Sequence, residues 1–158
     1  REALKTFGGV QRRFTIVGEH EGVTIVDDYG HHPVEIEATL EGADESFPDR
    51  RIVAIFQPHR YTRTRDLYED FVQVLSAVDV LVVNEVYPAG EAEIPGATSK
   101  QLCGTIRQRG KLDPLYARTI EEIPDIIRDL VAGGDIVITQ GAGSVSKLVK
   151  MLADRRLR

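Results

Sequence analysis

The chain has 158 residues, 42% of them hydrophobic, 28% charged and 6% aromatic, the composition of one compact domain and not of a disordered, rod-like or repeat protein. A formal charge of −5 offers no global basic field to nucleic acid or an anionic membrane, and no apolar stretch approaches the roughly 20 residues of a membrane helix. One cysteine, Cys103, excludes an intrachain disulfide framework and a cysteine-rich zinc site, and fits a reducing cytoplasm.

Residues 1–11 lack the apolar core of a secretory signal, and a start on Arg1 in place of Met raises the expectation of a chain cut from a longer protein. Phe14 to Gly18 and Val23 to Val26 are short β-branched runs around Gly18-Glu-His-Glu-Gly22, which predicts an antiparallel pair. Pro33 then opens a short amphipathic helix that Val34, Ile36, Ala38 and Leu40 carry to about Asp44. Arg51 to Phe56 is a nearly unbroken apolar run, the pattern of a strand covered on both faces. Leu67, Phe71, Val74 and Leu75 predict a helix from Thr64, and Val78 to Val83 another buried strand. A Gly- and Pro-rich loop, Pro88 to Thr98, leads to a helix over Ser99 to Arg109 and a short edge strand at Leu115 to Ala117. Thr119 is the expected N-cap of a helix reaching Val131, which Gly133-Gly134 stops. Ile136 to Thr139 is the final strand, and Val145, Leu148, Val149 and Leu152 mark the last helix.

This alternation predicts an α/β domain with a mainly parallel sheet. Ligands collect at the carboxyl ends of such strands, where Asp27 to His32, Gln57 to Arg65 and Gln140 to Ser144 should converge.

Asp27-Asp-Tyr-Gly-His-His-Pro33 sets two carboxylates and two imidazoles between a strand and a helix. Three readings fit: a divalent metal for phosphoester hydrolysis, a carboxylate accepting from both ribose hydroxyls of a nucleotide, or helix capping by Asp27 or Asp28 beside solvated histidines. Gln57-Pro-His-Arg-Tyr-Thr-Arg-Thr-Arg-Asp66 gathers guanidinium groups that can grip a carboxylate or phosphate. Its plain alternative is a surface patch paired with Asp66, Glu69 and Asp70, with Arg65 and Glu69 at helical spacing. Gly141-Ala-Gly143-Ser144 lacks the dinucleotide fingerprint, and the chain contains no GxxxxGKS/T. That loop is either a tight turn with Ser144 as N-cap or a weak anion site.

Phe7-Gly-Gly-Val-Gln-Arg-Arg-Phe14, Asp27 to Pro33, Phe56 to Asp66, Val86-Tyr-Pro-Ala-Gly-Glu91 and Gln140-Gly-Ala-Gly143 occur in this order over essentially the whole chain. Together they resemble the C-terminal part of the Mur ligase family, in particular the ligases joining L-alanine to UDP-N-acetylmuramate in peptidoglycan precursor synthesis. The resemblance implies that ATP phosphorylates the UDP-N-acetylmuramate carboxylate, that the alanine amine attacks the acyl phosphate, and that ADP and phosphate leave. It implies three domains: an N-terminal one for the UDP-sugar, a central ATPase with the P-loop and magnesium sites, and a Rossmann-like C-terminal domain that closes over ATP. Residues 1–158 would be the last of these, with an antiparallel N-terminal strand and helices on both faces, and residues 1–12 a remnant of the interdomain linker.

Carried over residue by residue, Asp28 and His31 would face the nucleotide, with Asp28 on the ribose. Tyr29, His59, Arg60 and Arg63 would surround L-alanine, the arginines on its carboxylate, and Ser144 would approach the same group. No catalytic residue or metal ligand is implied here. ATP and Mg would be held mainly by the central domain, so the chain alone would be catalytically silent. Rival readings are a recycling ligase that adds a preformed tripeptide, disfavoured by the His59 to Arg65 run, a metal-dependent phosphoesterase using Asp27, Asp28, His31, His32 and His59, and a noncatalytic nucleotide-sensing module.

Overall fold

The computed structural model describes residues 13–154; the expected linker, residues 1–12, lies outside them. Strands β1 (Thr15–His20) and β2 (Val23–Asp28) form an antiparallel hairpin. Its connection is the two residues Glu21 and Gly22, at φ 50° and 83°, shorter than the glycine-bounded stretch in the sequence suggests. Two successive positive φ values give the turn whose twist matches that of the strands.

The chain continues through α1 (Pro33–Ser46), β3 (Ile52–Phe56), α2 (Tyr61–Asp66), α3 (Tyr68–Leu75) and β4 (Val80–Asn84). It then forms α4 (Ser99–Gln108), β5 (Leu115–Ala117), a 3-10 turn (Ile120–Glu122), α5 (Ile123–Leu130), β6 (Ile136–Gln140) and α6 (Val145–Asp154). The sheet order is β1-β2-β6-β3-β4-β5, every pair but the first being parallel.

Every residue of β2, β3 and β6 is buried, because helices cover both faces. On one face Val26, Ala54, Phe56 and Leu81 pack with Ile36 and Leu40 of α1, Phe71 and Leu75 of α3, and Leu102 and Ile106 of α4. On the other, Ile25, Val53, Val82 and Val137 meet Ile123 and Ile127 of α5 and Leu148 and Leu152 of α6. Cys103 belongs to the first layer, and burial pushes its thiol up to about 12, so it remains an unreactive thiol at neutral pH.

Two helices differ from expectation. The helix expected from Thr64 starts at Tyr61 and breaks at Leu67, since Tyr61 to Asp66 bury Tyr61 and Thr64 without an apolar repeat to signal it. The helix expected from Thr119 begins as a 3-10 turn with no side-chain cap from Thr119, and α5 starts at Ile123, next to Pro124. Proline lacks an N–H and fits only the first turn. Among the described residues no helix is long and apolar enough to cross a membrane.

Candidate functional site

Strand register divides the aspartate pair. Successive residues face opposite sides of a sheet. Asp27, in line with Ile25, therefore turns to the α5 and α6 layer, where its Oδ1 accepts from Thr139 Oγ1 at 2.8 Å. Asp28, in line with Val26, turns toward α1. It is 5% exposed, and its carboxylate accepts from Phe14 N (3.0 Å), Gly30 N (3.0 Å) and Thr39 Oγ1 (2.9 Å). Two of these donors fall on Oδ2 and one on Oδ1, which leaves Oδ1 an acceptor position. A Cβ at Gly30 would come 2.6 Å from Asp28 Oδ2, so this close turn needs glycine.

Neither aspartate caps α1. His32 does so: its Nδ1 accepts from Val34 N at 3.3 Å, while Glu35 Oε1 accepts from His32 N at 3.2 Å, a capping box with imidazole in the usual place of a hydroxyl. Beside this turn lies a cleft of about 350 Å³ lined by Arg13, Phe14, Asp28, Tyr29, Ala38, Thr39 and Gly42 among others. Its lining sets the carboxylates of Asp28 and Glu35 and the guanidinium of Arg13 among small and apolar residues.

After β3 the chain enters the arginine loop. Gln57 is buried; its Nε2 donates to Asn84 Oδ1 and Ser144 Oγ, both at 2.8 Å, and its Oε1 accepts from Val145 N at 2.9 Å. The first N–H of α6 is thus satisfied by Gln57 and not by Ser144, the cap that local sequence suggests. The Ser144 hydroxyl keeps its own proton to donate. Gly141, at φ 147°, and Gly143 make the tight turn: a Cβ at Gly141 would meet Gln57 O at 2.9 Å, and one at Gly143 would meet Tyr87 Cγ at 2.6 Å. Ser144 and Tyr87 share a second cleft of about 410 Å³ with Gln57, Asn84, Arg118 and Lys147.

Four rings from three loops form a row along the carboxyl edge. Tyr29 meets His31 edge-on at 5.2 Å, His31 lies 5.9 Å from His59, and His59 stacks on Tyr87 at 5.4 Å. Arg63 Nη1 donates to His59 O at 3.0 Å and faces His59 Nδ1 at 3.2 Å. A guanidinium cannot accept, so His59 Nδ1 carries the lone pair and Nε2 the proton. His31 differs: its Nδ1 faces the Tyr29 carbonyl, which can only accept, at 3.2 Å and so carries a proton. Burial, then the charges of Arg63, His31 and Arg60, hold the His59 pKa below its ordinary value against the pull of Glu91, which keeps the ring neutral at pH 7. Arg60 is exposed at the rim, without a side-chain hydrogen bond or ion pair among the described residues. Arg65 bonds Asp66, and Glu69 bonds Arg109 at 2.9 Å, so the helical Arg65 and Glu69 pair expected from spacing does not form.

The structure therefore gathers Tyr29, His31, His59 and Arg63, sets Asp28 beside them on the α1 side, and places Ser144 beyond Tyr87. Gln57, Asn84, Tyr87, Glu91 and Thr39 were not singled out by sequence; the Val86 to Glu91 motif was the available signal for two of them. Gln140, between Asp28 and Phe56 in the sheet, is fully buried with both polar side-chain atoms unpaired. Orphan amides of this kind are rare and call for an explanation, function among them. Among the described residues no group of three or more His, Cys, Asp or Glu could hold a metal ion. The phosphoesterase set is also divided, with Asp27 on the far side of the sheet and His32 engaged in a cap.

A family profile described as Mur ligase, glutamate ligase domain, matches residues 12–143. A UDP-N-acetylmuramate--L-alanine ligase of Methylococcus capsulatus is 55% identical over 160 residues, which cover 98% of this chain and 34% of that protein. Among solved structures, the UDP-N-acetylmuramate-alanine ligase of Thermotoga maritima is 29% identical with a TM-score of 0.75, covering 98% of this chain and 32% of that one. A murein peptide ligase of Psychrobacter arcticus, 22% identical with a TM-score of 0.73 over 96% of this chain and 31% of its own, shares the fold. The chain spans about a third of the length of these relatives.

Proposed function

The chain belongs to the Mur ligase family, in its glutamate ligase domain, and from that membership we propose that it is the amino-acid-binding, C-terminal domain of a cytoplasmic ATP-dependent ligase joining L-alanine to UDP-N-acetylmuramate. The observation that carries this reading is the 55% identity, over 98% of the chain, to a protein of that name. Partners are then L-alanine, ATP, UDP-N-acetylmuramate and the remaining domains of the same polypeptide.

ATP supplies the phosphoryl group that activates the sugar-linked carboxylate, and its phosphates and Mg belong to the central domain. In this chain, the acceptor position left on Asp28 Oδ1 would take a ribose hydroxyl at the mouth of the first cleft, with His31 beside it. Arg60 and Arg63 would hold the alanine carboxylate, with Tyr29 and Ser144 bordering the amino acid. The two cations also lower the pKa of the neighbouring ammonium, which favours the free amine that must attack. Neutral His59, with its proton on Nε2, would donate a hydrogen bond without adding charge. Fixing both ends of a small nucleophile lowers the barrier through orientation.

In the full-length protein, Arg60→Ala should raise the KM for L-alanine at least about thirtyfold, the equivalent of about 2 kcal/mol for a lost charged contact, with the KM for ATP nearly unchanged. Steady-state kinetics in each substrate would measure it. An unaltered KM for L-alanine would remove Arg60 from the site.

A further inference from the structure

Arg60 sits at φ 75° and ψ 134° as the residue preceding α2, with no side-chain cap for the helix. For a residue with a side chain this backbone region is sparsely populated and persists only where the surroundings over-determine it. The surroundings here are one segment, Val86 to Glu91. Arg60 N donates to Tyr87 O and Tyr87 N to Pro58 O, both at 2.8 Å, a backbone bridge that clamps His59 from either side. The Tyr87 ring then lies on the His59 ring at an interplanar angle of 10°. Glu91 completes the clamp: its carboxylate accepts from Thr62 N at 3.1 Å and Thr62 Oγ1 at 2.6 Å. A distant loop therefore supplies the cap that no local residue provides, at the residue directly before Arg63. Among the described residues Glu91 forms no ion pair with Arg60, so the guanidinium stays available for a ligand.

We propose that Glu91 is a positioning residue for the amino-acid site: by bonding Thr62 it fixes the left-handed backbone at Arg60 and hence where the Arg60 and Arg63 side chains leave the first turn of α2. The proposal rests on the reading of these arginines as the carboxylate cradle. Glu91 acts through Thr62 and the α2 backbone, not by touching substrate. The chemistry recognised is that of a free amino acid, and the effect falls on its binding and not on nucleotide binding.

The test is steady-state kinetics of the full-length ligase, each substrate varied in turn, with thermal unfolding recorded for every variant. Glu91→Ala and Thr62→Val should each raise the KM for L-alanine about tenfold to a hundredfold, as misplaced binding groups do, and leave the KM for ATP within about twofold. Thr62→Ser, which keeps the hydroxyl, should restore most of the loss. The double variant Glu91→Ala with Thr62→Val should be no worse than Glu91→Ala alone, because Glu91→Ala already removes the hydroxyl bond that Thr62→Val removes. If Glu91→Ala is unfolded at the assay temperature, Thr62→Val, which removes a single hydroxyl, decides. With an active wild type, an unchanged KM for L-alanine, or an equal rise for ATP and L-alanine, overturns the positioning role. A wild type that does not consume L-alanine overturns the functional reading, and the proposal with it.

Discussion

At Asp28, three protein donors occupy a carboxylate that has about four acceptor positions, so a ribose can gain one hydroxyl bond and not two unless Phe14 N releases Oδ1. The residue types at this site were legible in the sequence; their protonation and pairing were not. His31 and His59 are adjacent imidazoles that differ at Nδ1, protonated on His31 and bare on His59, a difference set by a carbonyl on one and a guanidinium on the other. The glycines of the last loop were legible as a tight turn, and the structure adds what they avoid. Gly141→Ala combines a left-handed φ with a Cβ 2.9 Å from the Gln57 carbonyl oxygen. It should destabilise the domain by about 1–3 kcal/mol, at about 2–4 °C of melting temperature per kcal/mol for a chain of this size. Thermal unfolding of the single variant would read it, and an unchanged midpoint would show that the turn relaxes freely.

At the scale of elements, the opposite edge of the sheet holds the fold together while the carboxyl edge is left for chemistry. Arg50 donates to Gly134 O, Gly22 O, Thr24 Oγ1 and Asp135 O, tying the β1-β2 turn to the start of β6. Arg51 bonds Asp135 at 2.6 Å, and Asp135 also accepts from Ala132 N at 2.8 Å. Burial pushes the Asp135 pKa up, but the Arg51 and Ala132 hydrogen bonds and the charges of Arg51 and Arg50 outweigh it, so the net value lies below the ordinary one. A depressed folded pKa adds stability above the unfolded value of about 4, and this contribution disappears as the pH falls through the folded value. Asp135→Asn should therefore lose about 1–3 kcal/mol at pH 7 and show a flatter acid limb below about pH 4 than the wild type. Urea unfolding at pH 7 and pH 3 checks both; equal pH dependence in the two proteins would exclude the linkage. Sequence spacing located α3 and ran it back to Thr64 but missed the first turn of α2 and the break at Leu67, because a helix anchored through Tyr61 and Thr64 and capped by Glu91 carries no amphipathic repeat.

For the whole molecule, both clefts lie at the carboxyl ends of strands of a single sheet, and the chain contains no GxxxxGKS/T phosphate-binding loop. The purified 158-residue chain, given ATP, Mg and L-alanine, should release no alanine-dependent phosphate, whereas the full-length protein should, because acyl-phosphate formation needs preorganised phosphate and magnesium ligands. A phosphate-release assay measures the difference, and alanine-dependent turnover by the chain alone would refute the division of labour. The amino-acid sequence by itself determined the α/β class, since unbroken apolar strands alternating with amphipathic helices can only be buried on both faces. It also pointed to three loops, Asp27 to His32, Gln57 to Arg65 and Gln140 to Ser144, which follow the carboxyl ends of β2, β3 and β6. The tertiary structure decided the strand order, inserting β6 between β2 and β3 and so bringing Ser144 to Gln57 across 87 positions of chain. It also decided which aspartate faces α1, which side chain caps α6, and that Glu91 reaches Thr62. Periodicity records how much of each element is buried, whereas a partner far along the chain is selected by register and crossover, which no local pattern contains.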